Sequence, residues 1–432
     1  MTEPAAGQDR SHVVLVCVAA LVAGVAIGLI GGVFRWSLRE ADSLRARLVE
    51  WAEQLPGPGW LVPMAVAATG ATLAALIVRR MPLAAGSGIQ HVEAVHRGAA
   101  RPPVITLVPV KFIGGLLAIG SGLVLGREGP TVHMGAAVGA EAARRVRLGD
   151  TDIRMMQSAV SGAGLAVAFN APVGGVLFTV EEVAKSVRLK TVLATVLAAA
   201  TAVGCSRLIN GNHPDFAVAP FDSPALAYLP LFVVFGVLTG CLGVLYNRLV
   251  LALLDLVAAV SRIPPVLKAT LIGAAIGLVL FADPLAVGGG DALTQMIVGG
   301  QGIALLAVFG YLVVRLIAGP LSYAAAVPGG LFAPLLAVGA LWAVLFVGGL
   351  TVVWPGADAA LAVPMAIVGM AAFFGATVRA PLTAIVVVLE MTATTAVAVP
   401  MLAATAAAVL TAELFRSPPI YDSLRERLPV GS

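Results

Sequence analysis

The sequence predicts an all-α, polytopic membrane protein built as one membrane domain. The chain of 432 residues is 59% hydrophobic and 12% charged, with a mean hydropathy of +0.98, whereas a soluble protein carries about 25% charged residues. Apolar segments recur from one end of the chain to the other, and many are interrupted by the 48 glycines and 27 prolines. Since irregular backbone at membrane depth is tolerated only around a cavity, we expect tilted and partly discontinuous helices.

The first apolar segment, residues 13–34, predicts a retained membrane span. It is long enough to cross about 30 Å of hydrocarbon, and no small-residue cleavage site follows it. We expect residues 1–12 to form a short cytoplasmic segment and residues 13–432 to form the transmembrane domain of a multi-pass cell-membrane protein. The other apolar segments are 60–78, 103–126, 155–180, 191–204, 226–257, 264–282, 302–318, 323–350, 358–378 and 381–412.

Basic residues lie between the apolar segments and predict which loops face the cytoplasm. The net charge of +4 is spread along the chain and forms no single basic patch, so no nucleic-acid partner is expected. Connections rich in aspartate are expected to face outward. The positive-inside rule assigns to the cytoplasm the segments that contain Arg79, Arg80, Arg97, Arg101, Arg144, Arg145, Arg147, Arg154, Lys185, Arg188, Lys190, Arg416, Arg425 and Arg427.

The chain lacks the residue patterns of an enzyme, a disulfide framework or a metal site. Cys17, Cys205 and Cys241 are odd in number and widely spaced, so no disulfide, metal or other cofactor is expected. A membrane-embedded enzyme needs a nucleophile with a base, paired aspartates or a metal cluster inside its spans. No aspartate lies in the middle of an apolar segment, since Asp255 and Asp358 lie at segment ends, so no catalytic function is predicted.

An internal repeat divides the chain into halves of about 13–204 and 226–432. Residues 126–130 (GREGP) match residues 330–334 (GLFAP), and residues 170–181 match residues 379–390. The two offsets, 204 and 209 residues, differ little. Duplicated halves with Gly/Pro-interrupted segments at matching positions are typical of transporters whose substrate binds between the repeats.

Glycine-rich stretches that run into proline predict a site for an anion. Pro130 and Pro334 each open an apolar segment, and proline in the first turn is pre-organised for a helix start. Each start directs free N–H groups and a positive dipole end at whatever precedes it. Two such starts near the midplane would hold an anion mostly with backbone groups. Ser87, between Gly86 and Gly88, adds a hydroxyl donor.

Glu128 lies inside the first of these loops, where a carboxylate is costly unless it has a function. Its ionised form could occupy the anion site, whereas its protonated form would leave the site open. A glutamate that competes with the anion in this way is both a gate and a proton carrier. The alternative is a buried glutamate paired with Arg127.

Other ionisable residues in apolar surroundings give less specific signals. Glu181 and Glu182 end an apolar run near the predicted cytoplasmic boundary, where one could take up protons or both could form a solvated helix end. A structural hydrogen bond is predicted for Glu390, a fixed positive charge near the anion path for Lys111, and a core position for His133.

With these motifs in order, the chain resembles the CLC family of chloride channels and proton-coupled chloride exchangers, in its prokaryotic form without CBS domains. The resemblance covers nearly the whole chain. It implies two inverted-topology halves and a homodimer in which each subunit holds its own pathway. It rests on Gly86-Ser87-Gly88-Ile89, Gly126-Arg127-Glu128-Gly129-Pro130, Gly330-Leu331-Phe332-Ala333-Pro334 and Tyr421, with support from Asn170-Ala171-Pro172 and Arg379-Ala380-Pro381.

The resemblance also implies a role for each residue of the predicted site. Ser87 and Tyr421 would donate hydroxyls to a central chloride. Glu128 matches the external gating glutamate, and Glu182 matches the internal proton glutamate that is typical of exchangers. The chloride-binding residues implied are Gly86, Ser87, Gly88, Arg127, Glu128, Gly129, Leu331, Phe332, Ala333 and Tyr421.

We therefore expect a secondary active transporter that exchanges chloride for protons, with a passive voltage- or pH-gated chloride channel of the same fold as the alternative. Ser87 rather than proline at the selectivity position suits chloride rather than nitrate. Two departures from the family pattern stand out. Gln90 replaces the proline that commonly follows the serine motif, and the short chain before His12 predicts that the first cytoplasmic helix is missing or reduced.

Overall fold

The computed structural model describes residues 6–353 and 358–428. These residues form seventeen α-helices, and their β pairing is limited to two isolated bridges. Seven helices of this part of the chain are long and apolar enough to cross a membrane. The predicted all-α, multi-pass architecture is confirmed.

The helices fall into two series of eight that match in order, followed by a short C-terminal helix, α17 (Ile420–Glu426). The first series is α1 (Ala6–Glu53), α2 (Leu61–Arg80), α3 (Ile89–His96), α4 (Leu107–Gly120), α5 (Glu128–Arg145), α6 (Asp150–Phe169), α7 (Pro172–Phe178) and α8 (Leu189–Asn210). The second series is α9 (Leu229–Ala259), α10 (Pro265–Ala282), α11 (Asp291–Val298), α12 (Leu305–Ala324), α13 (Phe332–Val353), α14 (Ala362–Val378), α15 (Pro381–Thr392) and α16 (Ala398–Leu414).

The first helix is longer than the sequence predicted. Helix α1 begins at Ala6 and continues unbroken through residue 12, because no proline lies between Ala6 and Glu53 to stop it. Residues 6–12 are therefore part of α1 and not a separate element. Residues 1–5 of the predicted N-terminal segment lie outside the described residues.

Two apolar segments each contain a pair of helices separated by the same kind of break. Asn170 ends α6 with a φ of 51° and Arg379 ends α14 with a φ of 70°. In both cases a proline two residues later, Pro172 or Pro381, opens the next short helix. A left-handed residue closes a helix, and the following proline cannot continue it but suits a new start, so the repeated N/R-A-P triplet produces both breaks.

The structure shows a further match between the two halves, which sequence reasoning missed. The 3₁₀ turns Pro82–Ala84 and Pro284–Ala286 have the same sequence, and each precedes an eight-residue helix, α3 or α11. Both helices follow a left-handed glycine, Gly88 with a φ of 88° and Gly290 with a φ of 100°. Residues with a Cβ avoid this conformation, so the glycines place both short helices.

Basic segments gather on one face of the molecule. Asp422 of α17 lies 3.2 Å from Lys185 Nζ and 3.7 Å from the Arg97 guanidinium. Arg144 donates to the carbonyl of Pro103 at 3.0 Å, which joins a third basic segment to the same region. This common face is the arrangement that the positive-inside rule requires of cytoplasmic loops.

Two glutamates bind the helix starts of the opposite half in a reciprocal pattern. Glu390 at the end of α15 accepts hydrogen bonds from Val173 N at 3.1 Å and Gly174 N at 2.8 Å. Its repeat mate Glu181 accepts from Leu382 N at 3.0 Å and Thr383 N at 2.7 Å. Carboxylates satisfy the free N–H groups of a helix start and suit its positive dipole end, so each half completes the short helix of the other.

Replacing Glu390 by Gln is expected to lower the free energy of unfolding by about 1–2 kcal/mol, because the start of α7 loses an anionic acceptor. Thermal unfolding of the purified protein in detergent measures the effect. Glu413→Gln is the matched control, since the Glu413 side chain is 77% exposed. Equal stability of the two variants would contradict the capping role.

Candidate functional site

Backbone hydrogen bonds join three glycine-containing loops from the two halves. Gly86 N donates to Val327 O at 3.1 Å, and Gly329 N donates to Gly86 O at 3.1 Å. Gly126 N donates to Gly330 O at 2.7 Å, and the reverse bond measures 2.8 Å. The loops predicted to form the anion site are therefore in direct contact.

Glu128 at the start of α5 reaches across to the start of α13. The side chain is fully buried, and its Oε2 accepts from Ala333 N at 3.3 Å. Among the described residues Oε1 has no hydrogen-bond partner. A Cβ on Gly126 would collide with Glu128 Oε2, so a larger residue there would displace the carboxylate. The carboxylate lies where free N–H groups of the opposite half attract negative charge.

The Ser87 loop packs directly against the start of α5. A Cβ on Gly129 would lie 2.6 Å from Ser87 Oγ and 2.8 Å from Ser87 Cα. Ser87 Oγ accepts a long bond from Ile89 N at 3.4 Å, which leaves the hydroxyl hydrogen available to an anion. Behind the loop, Lys111 Nζ donates to Gly86 O at 2.6 Å and to Ser87 O at 3.3 Å. Lys111 therefore lies directly behind the Ser87 loop, and its role as a fixed positive charge stays a prediction.

Tyr421 completes the cluster from the C-terminal helix. Its ring stacks on Phe332 with 5.6 Å between centroids, and its buried hydroxyl has no hydrogen-bond partner in the described part of the chain. A buried hydroxyl without a partner is unusual, and the stacking on Phe332 places Tyr421 beside the start of α13.

Two predicted chloride ligands have other hydrogen-bond partners. The Gly86 N–H is taken by the Val327 carbonyl. The Arg127 guanidinium donates to Ala168 O at 3.1 Å, to Asp291 at 3.3 Å and to Asp215 at 3.4 Å. The Gly86 N–H group and the Arg127 guanidinium are therefore not free to donate to an anion. Arg127 forms ion pairs with the two aspartates and not with Glu128.

A second acidic cluster lies towards the face that carries the basic segments. Glu182 and Glu93 are buried side by side, and one carboxylate oxygen of each has no partner among the described residues. Glu93 Oε2 accepts from Arg425 of α17 at 2.6 Å. Two adjacent buried carboxylates favour sharing a proton over double ionisation, so this pair is suited to hold one.

The π-helical turn Thr179–Val183 separates the roles of the two consecutive glutamates. It directs Glu181 to the start of α15 and Glu182 into the interior. Such turns are rare and frequent at functional sites. Sequence reasoning missed Glu93 and Arg425, which lie 332 residues apart; the available signal was a glutamate in the short helix that follows the serine motif.

Known proteins resemble this chain over nearly its whole length. The family model described as voltage gated chloride channel matches residues 70–413. The chain is 36% identical over 424 residues to the H(+)/Cl(-) exchange transporter ClcA of Vibrio parahaemolyticus, with 95% of this chain and 89% of the relative covered. It is 37% identical over 428 residues to the protein of the same name from Vibrio cholerae, with 94% and 88% covered.

A solved structure has the same architecture. The X-ray structure of a slow cyanobacterial Cl⁻/H⁺ antiporter superimposes with a TM-score of 0.88 at 28% identity, and the match covers 96% of this chain and 97% of that one. The relatives are transporters and not enzymes. Together with the fold, these matches confirm the resemblance drawn from the sequence motifs: the chain belongs to the CLC family of voltage-gated chloride channels and chloride transporters.

Proposed function

We propose that this protein exchanges chloride for protons across the membrane, with Glu128 as external gate and proton carrier. The observation that carries the proposal is the buried Glu128 carboxylate, bound to Ala333 N of the opposite half while its second oxygen is unpartnered. The homology supports it, since the relatives of 36–37% identity are named as exchange transporters.

The exchange follows from competition between a carboxylate and chloride for the same donors. Ionised Glu128 rests on the α13 start and closes the path. A proton on Glu128 removes its charge, so the carboxyl group no longer competes and chloride takes the positive helix end. When chloride leaves, the group can release its proton to the other side and return. One acid therefore links the two movements.

Chloride at the centre would be bound by neutral hydrogen-bond donors, and no buried cationic side chain would contact it. The hydroxyls of Ser87 and Tyr421 and the first N–H groups of α13, from Leu331 and Phe332, are the donors proposed. Gly129 allows the start of α5 to approach the Ser87 backbone closely, and Gly88 leaves room for the His133 ring. Hydrogen bonds from neutral donors hold an anion firmly enough to select it, yet allow it to leave.

Protons would enter from the cytoplasmic side through the pair of Glu182 and Glu93. This pair lies beside α17, which joins the basic face. Arg425 holds one oxygen of Glu93 and limits how many protons the pair takes up.

Simultaneous recording of chloride and proton flux from purified protein in liposomes tests the proposal. A chloride gradient is expected to drive protons against their own gradient, with a reversal potential that depends on both ions. A reversal potential that follows the chloride gradient alone would establish the passive channel instead.

We also propose that the protein is a homodimer. The short helices α7 and α15 lie against each other, and Val173 and Leu382 at their starts are 54% and 53% exposed. The half-buried carboxylates of Glu390 and Glu181 lie beside them. Ionisable groups facing lipid are costly, and a second copy over this face would cover them.

Light scattering from the detergent-solubilised protein is expected to give twice the 43.7 kDa mass of the chain. Val173→Trp and Leu382→Trp would place bulk on the proposed interface and are expected to produce monomers. A single-chain mass for the unmodified protein at all concentrations would exclude the homodimer.

A further inference from the structure

We propose that the Tyr323 hydroxyl, oriented by Gln90, is an additional anion ligand that sets the affinity for chloride entering from the cytoplasmic side of Ser87. Neither residue was a predicted site residue, although Gln90 was a departure from the family pattern. The inference rests on the proposed function, because it concerns the same anion path.

A cavity of about 670 Å³ lies beside the Ser87 loop. Most of its lining is apolar, and its polar side chains besides Arg427 are Gln90, His91 and Tyr323, next to the backbone of Gly86 and Gly88. Arg427, near the end of the described chain, lines the same cavity. The cavity therefore extends from the neighbourhood of Ser87 towards the C-terminal helix, which lies on the basic face.

Tyr323 is buried beside the predicted central site, and its hydroxyl oxygen accepts two hydrogen bonds. Ser87 N donates at 3.5 Å and Gln90 Nε2 donates at 3.4 Å. Both bonds are longer than the usual 2.9–3.0 Å, so they are weak. Across the described residues no acceptor is recorded for the hydroxyl hydrogen. A buried tyrosine hydroxyl normally finds an acceptor, and this one has a free hydrogen beside a cavity.

The Gln90 side chain supplies a hydrogen-bond donor, which a proline at that position could not. Proline has no side-chain donor, whereas the Gln90 amide holds the Tyr323 oxygen and leaves its own Oε1 without a partner among the described residues. Hydrogen bonds received by a hydroxyl polarise it and strengthen it as a donor. Gln90 therefore places a donor on the Tyr323 oxygen, which leaves the hydroxyl hydrogen free to bind an anion.

The charges around the loop favour an anion over a cation. The Lys111 ammonium binds the carbonyls of Gly86 and Ser87 directly behind it. The carboxylate of Glu93 on the same short helix is paired with Arg425. An anion in the cavity would accept from the Tyr323 hydroxyl and displace the weak Ser87 N bond, which frees a second donor for it.

Chloride titration by calorimetry on the purified protein tests the proposal. Tyr323→Phe is expected to weaken chloride binding about tenfold, the effect of losing one hydrogen bond to a charged partner. Tyr246→Phe is the matched control, because Tyr246 in α9 is equally buried and its hydroxyl has no partner in the described residues. Its chloride affinity is expected to stay unchanged.

A double-mutant cycle with Gln90→Leu separates ligation from a structural effect. Gln90→Leu alone is expected to weaken chloride binding about threefold, and the double variant should bind no more weakly than Tyr323→Phe. Unchanged affinity in Tyr323→Phe would overturn the proposal. Tighter binding in Gln90→Leu would overturn it as well, because Gln90 would then be an acceptor that occupies the hydroxyl.

The ratio of chloride to proton flux distinguishes this inference from the proposed function. Tyr323→Phe is expected to keep the wild-type ratio while its half-saturating chloride concentration on the cytoplasmic side rises. If the wild-type protein moves no protons, the proposed exchange fails whatever Tyr323 does. If exchange occurs but Tyr323→Phe binds chloride normally, this inference alone fails.

Discussion

Replacement of Glu128 by Gln is expected to reduce chloride-driven proton flux to the level of protein-free liposomes while chloride flux persists. Glutamine has the shape of protonated glutamate, so the site stays open to the anion, but it cannot ionise or carry a proton. The carboxylate that accepts from Ala333 N is lost, and chloride no longer competes with a negative charge. Parallel recordings with chloride and pH electrodes measure both fluxes.

Glu413→Gln provides the control for this experiment, since it also removes one carboxylate but on an exposed side chain. It is expected to pump protons as the wild-type protein does. Residual uphill proton movement in Glu128→Gln would mean that another group carries the proton and would refute the gate assigned to Glu128.

Replacement of Glu182 by Gln is expected to remove proton flux and leave chloride flux within a factor of about two, because the change lies outside the anion site and its barrier is little altered. The side chain is 1% exposed with one unpartnered oxygen, and such burial favours the protonated carboxyl group. The amide keeps the volume and removes the titration. The same paired recordings apply.

Glu93→Gln tests which member of the inner pair holds the proton. It leaves Arg425 without one of its carboxylate partners, so reduced stability is expected together with partial proton transport. Should Glu182→Gln pump normally while Glu93→Gln does not, the proton-holding role would belong to Glu93.

Local sequence signals predicted the helix breaks and the loops well. Pro172 and Pro381 mark the breaks because proline acts through its own ring on the adjacent backbone. The Gly126 and Gly330 loops were recognisable because both halves contain glycine at the position where the two loop backbones come into contact. The match between residues 82–88 and 284–290 was missed, since the helices that follow, Ile89–His96 and Asp291–Val298, have diverged in sequence.

Contacts between distant segments could not be predicted. Glu93 and Arg425 meet only because α3 and α17 pack together. Arg127 has the sequence position of an anion ligand, but its guanidinium turns to Asp215 and Asp291, because a buried cation needs paired charges. Tyr323 carries no motif, and its placement beside Ser87 depends on how the second half packs on the first.

The hydrogen bonds that connect Gly86 to Val327 and Gly329, and Gly126 to Gly330, determine how the two membrane sides can be opened in turn. A transporter that works by separating its two halves needs an interface between them that can open. Here four main-chain hydrogen bonds, together about 2–6 kcal/mol, connect the two halves at the centre. Alternating access to the two membrane sides is therefore expected from local movements while the two halves stay in contact. Rotation of the Glu128 side chain would take the place of a movement of whole domains.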